Sequence, residues 1–368
     1  MQTALAILAT IAAAMLVLRL LVSLVNYISQ PYLCKRRKVV LSASPLVSIL
    51  VPARNEEANI EPLARCVLSS TYRNIELVVY NDASTDQTAL VAQRLASSDS
   101  RLRVVDGLGL PAGWLGKNHA CHQLAGLAKG EFLLFLDADV RVSSSFIEDA
   151  VGYVMASKVK LLSLFPQQVM ETRGERLAVP IMHWILLSML PIFLVKASRK
   201  RSLSAANGQM MLFEASTYHR LEPHWLQRTS KAEDIAIAKL YKRRRERVAL
   251  LLGCNDVVCR MYSSKEEAIE GFAKNVRAFF GNSLFFMLLF TFITPATPLL
   301  AALTWGWFAG VASVVGLLAV KVLTSAVAKQ SVWFNVTHCV HQYWTFVMIV
   351  FRNLQSNSKK LIWKGREI

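Results

Sequence analysis

The sequence contains neither a Gly-x-x-x-x-Gly-Lys-Ser/Thr loop nor a Gly-x-Gly-x-x-Gly turn, so the usual mononucleotide and dinucleotide cradles are absent. It also lacks a Cys-x-x-Cys pair. Its six cysteines (Cys34, Cys66, Cys121, Cys254, Cys259 and Cys339) are scattered, which argues against a disulfide framework and a zinc site. Reduced thiols in a cytoplasm-facing protein are the simplest expectation. His119 and His122, like His338 and His341, are three residues apart, but neither pair has a third ligand nearby in sequence. Acidic residues are few, 25 against 42 Lys and Arg, giving a formal charge of +17. That excess is not laid out as a basic stripe interleaved with aromatics on a recognisable module, so no nucleic-acid partner is expected.

The cations instead form short blocks beside or near apolar segments: Lys35-Arg36-Arg37-Lys38, Arg199-Lys200-Arg201 and Lys242 through Arg245. Such blocks resemble anchors to anionic lipid headgroups; for the third, solvated loops are the plainer account. Hydrophobic residues make up 54% of the 368, and the mean hydropathy of +0.35 is too apolar for an ordinary soluble enzyme. The apolar excess collects at 4–28, near 177–197 and at 279–351.

Residues 4–28 carry one charge, Arg19. At ~1.5 Å rise per residue, one helix of this length crosses a ~30 Å hydrocarbon core. The start lacks a basic n-region and the run is too long for a cleaved signal peptide. The cations at 35–38 then place the following chain in the cytoplasm. The expected organisation is a transmembrane helix within 1–30, a catalytic domain over 45–275, a transmembrane hairpin over 279–327, and an amphipathic helix with a basic cytoplasmic tail over 331–368. In that last helix Asn335, His338, Gln342 and Thr345 recur at helical spacing, so it is expected in the interface or with its polar stripe packed against the catalytic domain. The expected location is the inner cell membrane, multi-pass, with the catalytic domain cytoplasmic.

Between about 45 and 165 the pattern changes. Leu46–Val51, Ile75–Tyr80, Leu102–Val105, Phe132–Leu136 and Lys160–Phe165 read as buried strands, separated by helical stretches at about 56–69, 86–97, 117–128 and 144–157. The alternation predicts an α/β domain with a mostly parallel sheet covered on both faces. Ligands of such sheets bind at the carboxyl ends of the strands. Here those ends read VPARNEE (51–57), NDASTDQT (81–88) and LDADV (136–140). Any single acid there could be a helix cap, as Asp86 could; three acidic strand ends in succession are hard to explain so. A departing nucleoside diphosphate develops negative charge, which a hard cation held by carboxylates with open positions can stabilise. Asp137 and Asp139, one residue apart, can contact metal and donor together. Glu56 or Asp82 can accept hydrogen bonds from the base or ribose.

In this order the motifs resemble glycosyltransferase family 2, over roughly residues 45–260. Gly113-Trp114-Leu115-Gly116-Lys117-Asn118-His119-Ala120-Cys121 and Trp363-Lys364-Gly365-Arg366 are similar to the branch of carotenoid-acid (diaponeurosporenoate) and hopanoid-associated glycosyltransferases. The resemblance implies a GT-A fold, Rossmann-like, and inversion at the anomeric centre. It implies a nucleotide-sugar donor, UDP by default, held by Pro52, Glu56, Asp82, Lys117 and Asp137, and Mg2+ or Mn2+ at Asp139. It further implies a catalytic base in the acidic pair Glu233-Asp234, with Asp234 as the base, and Trp114, Gln209 and Glu233 on the acceptor side. Asn81 departs from the family pattern, where Asp is common, leaving Asp82 as the acidic contact to the nucleoside.

Transfer of one sugar to a lipid-like acceptor is the leading expectation. The Gln-x-x-Arg-Trp motif of processive polysaccharide synthases is missing, since Gln227-Arg228 lacks its spacing. A catalytically silent membrane scaffold is disfavoured by retention of Asp82, Asp137, Asp139 and Asp234 together. The run 177–197, interrupted by Pro180 and Pro191, is expected to lie in the interface and shape an entry for a lipid acceptor. A straight span would put Asp139 and Asp234 on opposite sides of the membrane.

Overall fold

A computed structural model describes residues 2–36, 43–356, 362–363 and 366–367. Arg37 and Lys38 of the first basic block, Lys359, Lys360 and Lys364 of the tail, and Lys364-Gly365 of the Trp-Lys-Gly-Arg motif lie outside the described residues. The chain divides into two compact units. One comprises Met1–Gln30, Met170–Ile192 and Tyr262–Leu361; the other comprises Pro31–Val169, Phe193–Met261 and Ile362–Ile368.

The chain enters through helix α1 (Gln2–Ser29). It then alternates through β1 (Val47–Ala53), α2 (Ile60–Leu68), β2 (Ile75–Asn81), α3 (Thr88–Ala96), β3 (Leu102–Asp106), α4 (Gly116–Leu127) and β4 (Phe132–Leu136). Next come β5 (Val140–Val142), α5 (Phe146–Ser157), β6 (Leu161–Phe165) and β7 (Gln167–Gln168). Helices α6 (Arg173–Ala178), α7 (Pro180–Met189) and α8 (Phe193–Ala197) lead to β8 (Met210–Glu214), α9 (Ala215–Leu221), α10 (Pro223–Leu226) and α11 (Glu233–Arg243). After β9 (Val248–Leu252) and β10 (Val257–Cys259) come α12 (Lys265–Phe279), α13 (Leu284–Trp305), α14 (Trp307–Val327), α15 (Val332–Thr337) and α16 (Cys339–Ser356), then the short antiparallel pair β11 (Ile362–Trp363) and β12 (Arg366–Glu367).

The main sheet has the order β3-β2-β1-β4-β8-β6-β9. Its strands pair in parallel except β8, which runs antiparallel to both β4 and β6. The expected mostly parallel sheet is therefore present. β8, β9 and a small second sheet, β5-β10-β7, have no counterpart in the pattern read from the sequence. Every residue of β4, Phe-Leu-Leu-Phe-Leu, is buried, which is why it reads as a continuous apolar run rather than an alternating one. Truncating a fully buried side chain such as Leu134 to alanine is expected to destabilise the fold by ~2–5 kcal/mol. The strand starts where Gly130 lets it approach β1: a Cβ there would lie 2.6 Å from the Ser48 nitrogen and 2.7 Å from the Leu46 oxygen. The pairing of β1 with β4 reverses the strand order at that point, opening a crevice beyond their carboxyl ends.

Within the helical unit, α1, α13 and α14 are each long and apolar enough to cross a membrane. Arg19 is buried, with Nη1 donating to Thr294 Oγ1 at 3.1 Å and its guanidinium 4.6 Å from the Phe290 ring centre. Trp184 faces both Arg19, at 4.9 Å, and Lys321, at 4.8 Å; such ring contacts compensate part of the desolvation of a cation. Of the polar stripe expected on 332–351, Asn335, Gln342 and Thr345 are buried on α15 and α16, while His338, between the two helices, is half-buried. There the Gln342 Nε2 donates to Asn335 Oδ1 at 2.7 Å and to the Arg176 oxygen at 2.9 Å. The run 177–197 is broken as its prolines require: Pro180 opens α7, where its missing N–H has no intrahelical role, and Pro191 follows its end.

One cysteine expectation is corrected. Cys34 and Cys254 form a disulfide with Cα atoms 6.8 Å apart, while Cys66, Cys121, Cys259 and Cys339 are free. A pair separated by 220 residues leaves no spacing signal, because the fold alone brings its members together.

Candidate active site

Asp137 and Asp139 leave the carboxyl end of β4. The Asp137 N–H donates to the Gln209 carbonyl at 3.1 Å, tying this end to the segment that leads into β8. Lys117, in the first turn of α4, places its Nζ 2.8 Å from each Asp137 oxygen. The same ammonium donates to the Gly208 carbonyl at 3.2 Å and lies 3.7 Å from Glu233 Oε1. Asp234 accepts hydrogen bonds from the N–H groups of Gly208, at 3.0 Å, and Ile235, at 2.7 Å. Four segments distant in sequence thus meet around one lysine. Gly208 permits the approach: a Cβ there would lie 3.1 Å from Glu233 Oε1 and 3.3 Å from Lys117 Nζ.

The electrostatics follow from burial and this crowding of acids. Burial opposes the charge on Lys117, but Asp137 and Glu233 outweigh it and hold its pKa above the ordinary lysine value. Burial pushes Glu233 up to about 7, against the pull of Lys117 and with the neighbouring Asp234 adding to the rise. Asp234 is also raised by burial, with the two N–H donors and Lys117 opposing. Asp139 is raised to about 7, first by burial and then by Asp137 and Glu56. Its Oδ1 is buried without a hydrogen-bond partner. A buried carboxylate oxygen without a hydrogen-bond partner is a ligand that suits a hard divalent cation. Among the described residues no group of three or more His, Cys, Asp or Glu forms a metal cage, so such an ion would take most of its ligands from water or phosphate oxygens.

Asp82 is buried at the end of β2. The loops after β1 and β2 brace each other: Arg54 Nη1 donates to the Asp82 and Ala83 carbonyls at 2.7 and 2.8 Å, and the Glu56 N–H donates to Thr88 Oγ1 at 2.7 Å. Asn55 and Ala83 both take left-handed backbone, with φ of 53° and 50°. For alanine this conformation is disfavoured and persists only where its surroundings hold it. Asp86 accepts from the N–H groups of Thr88, at 3.0 Å, and Glu57, at 3.2 Å, so its carboxylate braces this loop. Pro52 lies within β1, opposite Tyr80.

The other expected residues divide in two. Gln209 is buried; its amide contacts Gln168, Asn207 and the Cys259 sulfur, and Cys259 in turn bonds to Asp139. Gln209 therefore reaches Asp139 through Cys259. Trp114 stacks on His122 at 5.3 Å and meets Trp225 edge-on at 5.4 Å. The Leu115 N–H donates to the Arg228 carbonyl at 2.9 Å, and Asn118 Nδ2 donates to the Gln227 and Ser230 carbonyls. These bonds fix the Trp114 loop to the segment that precedes Glu233.

Residues 48–221 match the family described as glycosyl transferase family 2. The chain is 25% identical over 256 residues to 4,4'-diaponeurosporenoate glycosyltransferase of Staphylococcus haemolyticus, covering 67% of each protein. Residues 48–221 thus form a glycosyltransferase family 2 domain. This glycosyltransferase is also 34% identical over 125 residues to beta-monoglucosyldiacylglycerol synthase of Nostoc sp., a match covering 33% of the chain and 26% of that relative. Its fold is that of mannosyltransferase PcManGT from Pyrobaculum calidifontis, solved with GDP-Man and Mn2+, at 20% identity and a TM-score of 0.54 over 95% of this chain and 100% of that one.

Gly208, Cys259 and Trp225 join the site without having stood out in the sequence of the glycosyltransferase. Asn207-Gly208 carries a turn signal, and Trp225 precedes the acidic pair closely enough to invite inspection. Cys259 carries no local signal at all.

Proposed function

We propose that this glycosyltransferase moves one sugar, with inversion, from a nucleotide-sugar, UDP-linked, to a lipid-like membrane acceptor such as a carotenoid acid, a hopanoid or another lipid. The convergence of Asp137, Glu233 and Gly208 on the Lys117 ammonium carries the reading, because it joins the donor end of β4 to the segment bearing Asp234. The relatives named for diaponeurosporenoate and diacylglycerol chemistry support the acceptor class. The three long apolar helices support a multi-pass protein, and the basic block from Lys35 supports a cytoplasmic catalytic domain.

In this reading Glu56 and Asp82 hold the nucleoside, with Pro52 alongside in β1. Lys117 fixes Asp137 and offsets the negative charge around the diphosphate. Mg2+ or Mn2+ held by Asp139, beside Asp137, supplies neutralisation of the charge that develops on the leaving phosphate. Asp234, oriented by the Gly208 and Ile235 N–H groups, takes the acceptor proton as the acceptor oxygen bonds to C1 from the face opposite the departing diphosphate. Glu233 lies beside it. Trp114, with Trp225, offers an aromatic face to the acceptor.

The test is lipid analysis after incubating membranes containing the enzyme with radiolabelled UDP-sugars and Mn2+. A labelled lipid bearing one sugar is expected, and it should be absent with Asp234→Asn. Label appearing only in water-soluble polymer would refute the acceptor class.

A further inference from the structure

Two of the three basic blocks meet in the fold. Arg199, Lys200 and Arg201, which follow α8, and Lys242, Arg243 and Arg245, at the end of α11, line a single cavity of about 690 Å3. Among the described residues no acidic one lines it. The adjacent acid, Glu246, is engaged by Arg220 at 2.6 Å. Among the described residues none of the six cations has a carboxylate partner, and Lys242 Nζ, itself buried, donates only to the Leu203 carbonyl at 2.7 Å.

The carboxyl end of a helix attracts cations, which accounts for Lys242 and Arg243. It does not account for Arg199, Lys200 and Arg201, which belong to another segment and add like charge to a spot already positive. A concave surface of this kind is complementary to phosphate oxygens.

The cavity is separate from the sugar-transfer site. Glu233 and Asp234 open α11 and the cavity lies at its other end; 11 residues of helix span ~16 Å. Phe193, six residues before Arg199 on α8, is 48% exposed, so an apolar side chain precedes the cations as in membrane-surface anchors.

We propose that this cavity binds the phosphate headgroup of an anionic membrane lipid. It is a site beyond the transfer reaction and does not depend on the assignment of donor or acceptor. The third block, read from sequence as solvated loop, is half of this site.

The experiment titrates the full-length enzyme, in nonionic detergent, with short-chain phosphatidylglycerol, short-chain phosphatidylcholine and inorganic pyrophosphate, following the melting temperature. Wild type is expected to bind phosphatidylglycerol roughly tenfold more tightly than phosphatidylcholine, with the preference shrinking at high salt. Replacing the exposed Arg199, Arg201, Arg243 and Arg245 together by Gln should abolish the preference, while replacing the same four by Lys retains it. Equal binding by wild type and the Gln variant would overturn the proposal. So would loss of the preference in the Lys variant to the same degree, which would trace it to packing rather than charge. Pyrophosphate displacing the lipid at equal concentration would overturn the lipid assignment in favour of a soluble anion.

Discussion

Lys117 Nζ lies 2.8 Å from both carboxylate oxygens of Asp137. With Asp139, Glu56 and Glu233 close by, this ammonium is the positive charge that lets the acids share a small volume. Lys117→Met is expected to lower kcat/KM by about 100-fold, with weaker donor binding by calorimetry. Lys117→Arg should recover little, because a planar guanidinium does not replace a point charge touching three segments. Unchanged kcat/KM in Lys117→Met would remove the residue from the donor site.

The unpartnered Oδ1 of Asp139 makes metal dependence testable without turnover. Mn2+ together with UDP is expected to raise the melting temperature of wild type, with a stabilisation of ~2.7 kcal/mol at a ligand concentration of 100 Kd. Asp139→Asn should show no Mn2+-dependent shift, and chelation should abolish transfer by wild type until Mn2+ or Mg2+ is returned. A variant that still responds to Mn2+ would move the ion elsewhere.

The strand ends bearing Asp82 and Asp137 were legible because parallel strands buried on both faces read as unbroken apolar runs, and polar residues that end such runs stand out. β8 is buried too, yet its reversed direction between β4 and β6 is set by partners far away in sequence. The supports of the site were hidden for the same reason. Gly208 acts through the space its missing side chain leaves for Lys117 and Glu233, and Cys259 reaches Asp139 from β10. Neither belongs to a local pattern.

Asp234 as the base must be unprotonated to act, so transfer should fall as pH drops through the apparent pKa of the Glu233–Asp234 pair. Burial raises both acids, Glu233 to about 7, so the acid limb is expected well above the ordinary carboxylate range. Glu233→Gln removes a neighbouring negative charge and should shift that limb to lower pH. Asp234→Asn should lower kcat by ~10²–10⁴-fold with donor binding retained. A limb that stays in place in Glu233→Gln would show that the pair does not control it.

Trp225 is 45% exposed, meets Trp114 at 5.4 Å and lies under Arg228 at 5.3 Å. Trp225→Ala is expected to raise the acceptor KM roughly tenfold, the loss of ~1–1.5 kcal/mol of aromatic contact, while leaving the donor KM unchanged. An equal effect on both substrates would place Trp225 in general support of the fold rather than at the acceptor.

The Cys34–Cys254 disulfide bears directly on which side of the membrane the catalytic domain occupies. Closing a loop with a sequence separation of 220 stabilises by up to ~5 kcal/mol in the chain-entropy picture. Purified protein left to oxidise should therefore melt higher than the same protein held reduced, and Cys34→Ser should match the reduced form. Inside a cell the cytosolic thiol pool opposes such a bond. A cytoplasmic catalytic domain thus predicts that both cysteines are thiols in vivo, joined only after lysis. Alkylating intact cells with a membrane-permeant maleimide, then mapping peptides by mass spectrometry without reductant, decides the matter. Label on Cys34 and Cys254 supports the cytoplasmic orientation. An intact disulfide in freshly quenched cells would turn the catalytic domain toward the oxidising side, away from the nucleotide-sugar supply, and would reverse the positive-inside reading of the block at Lys35.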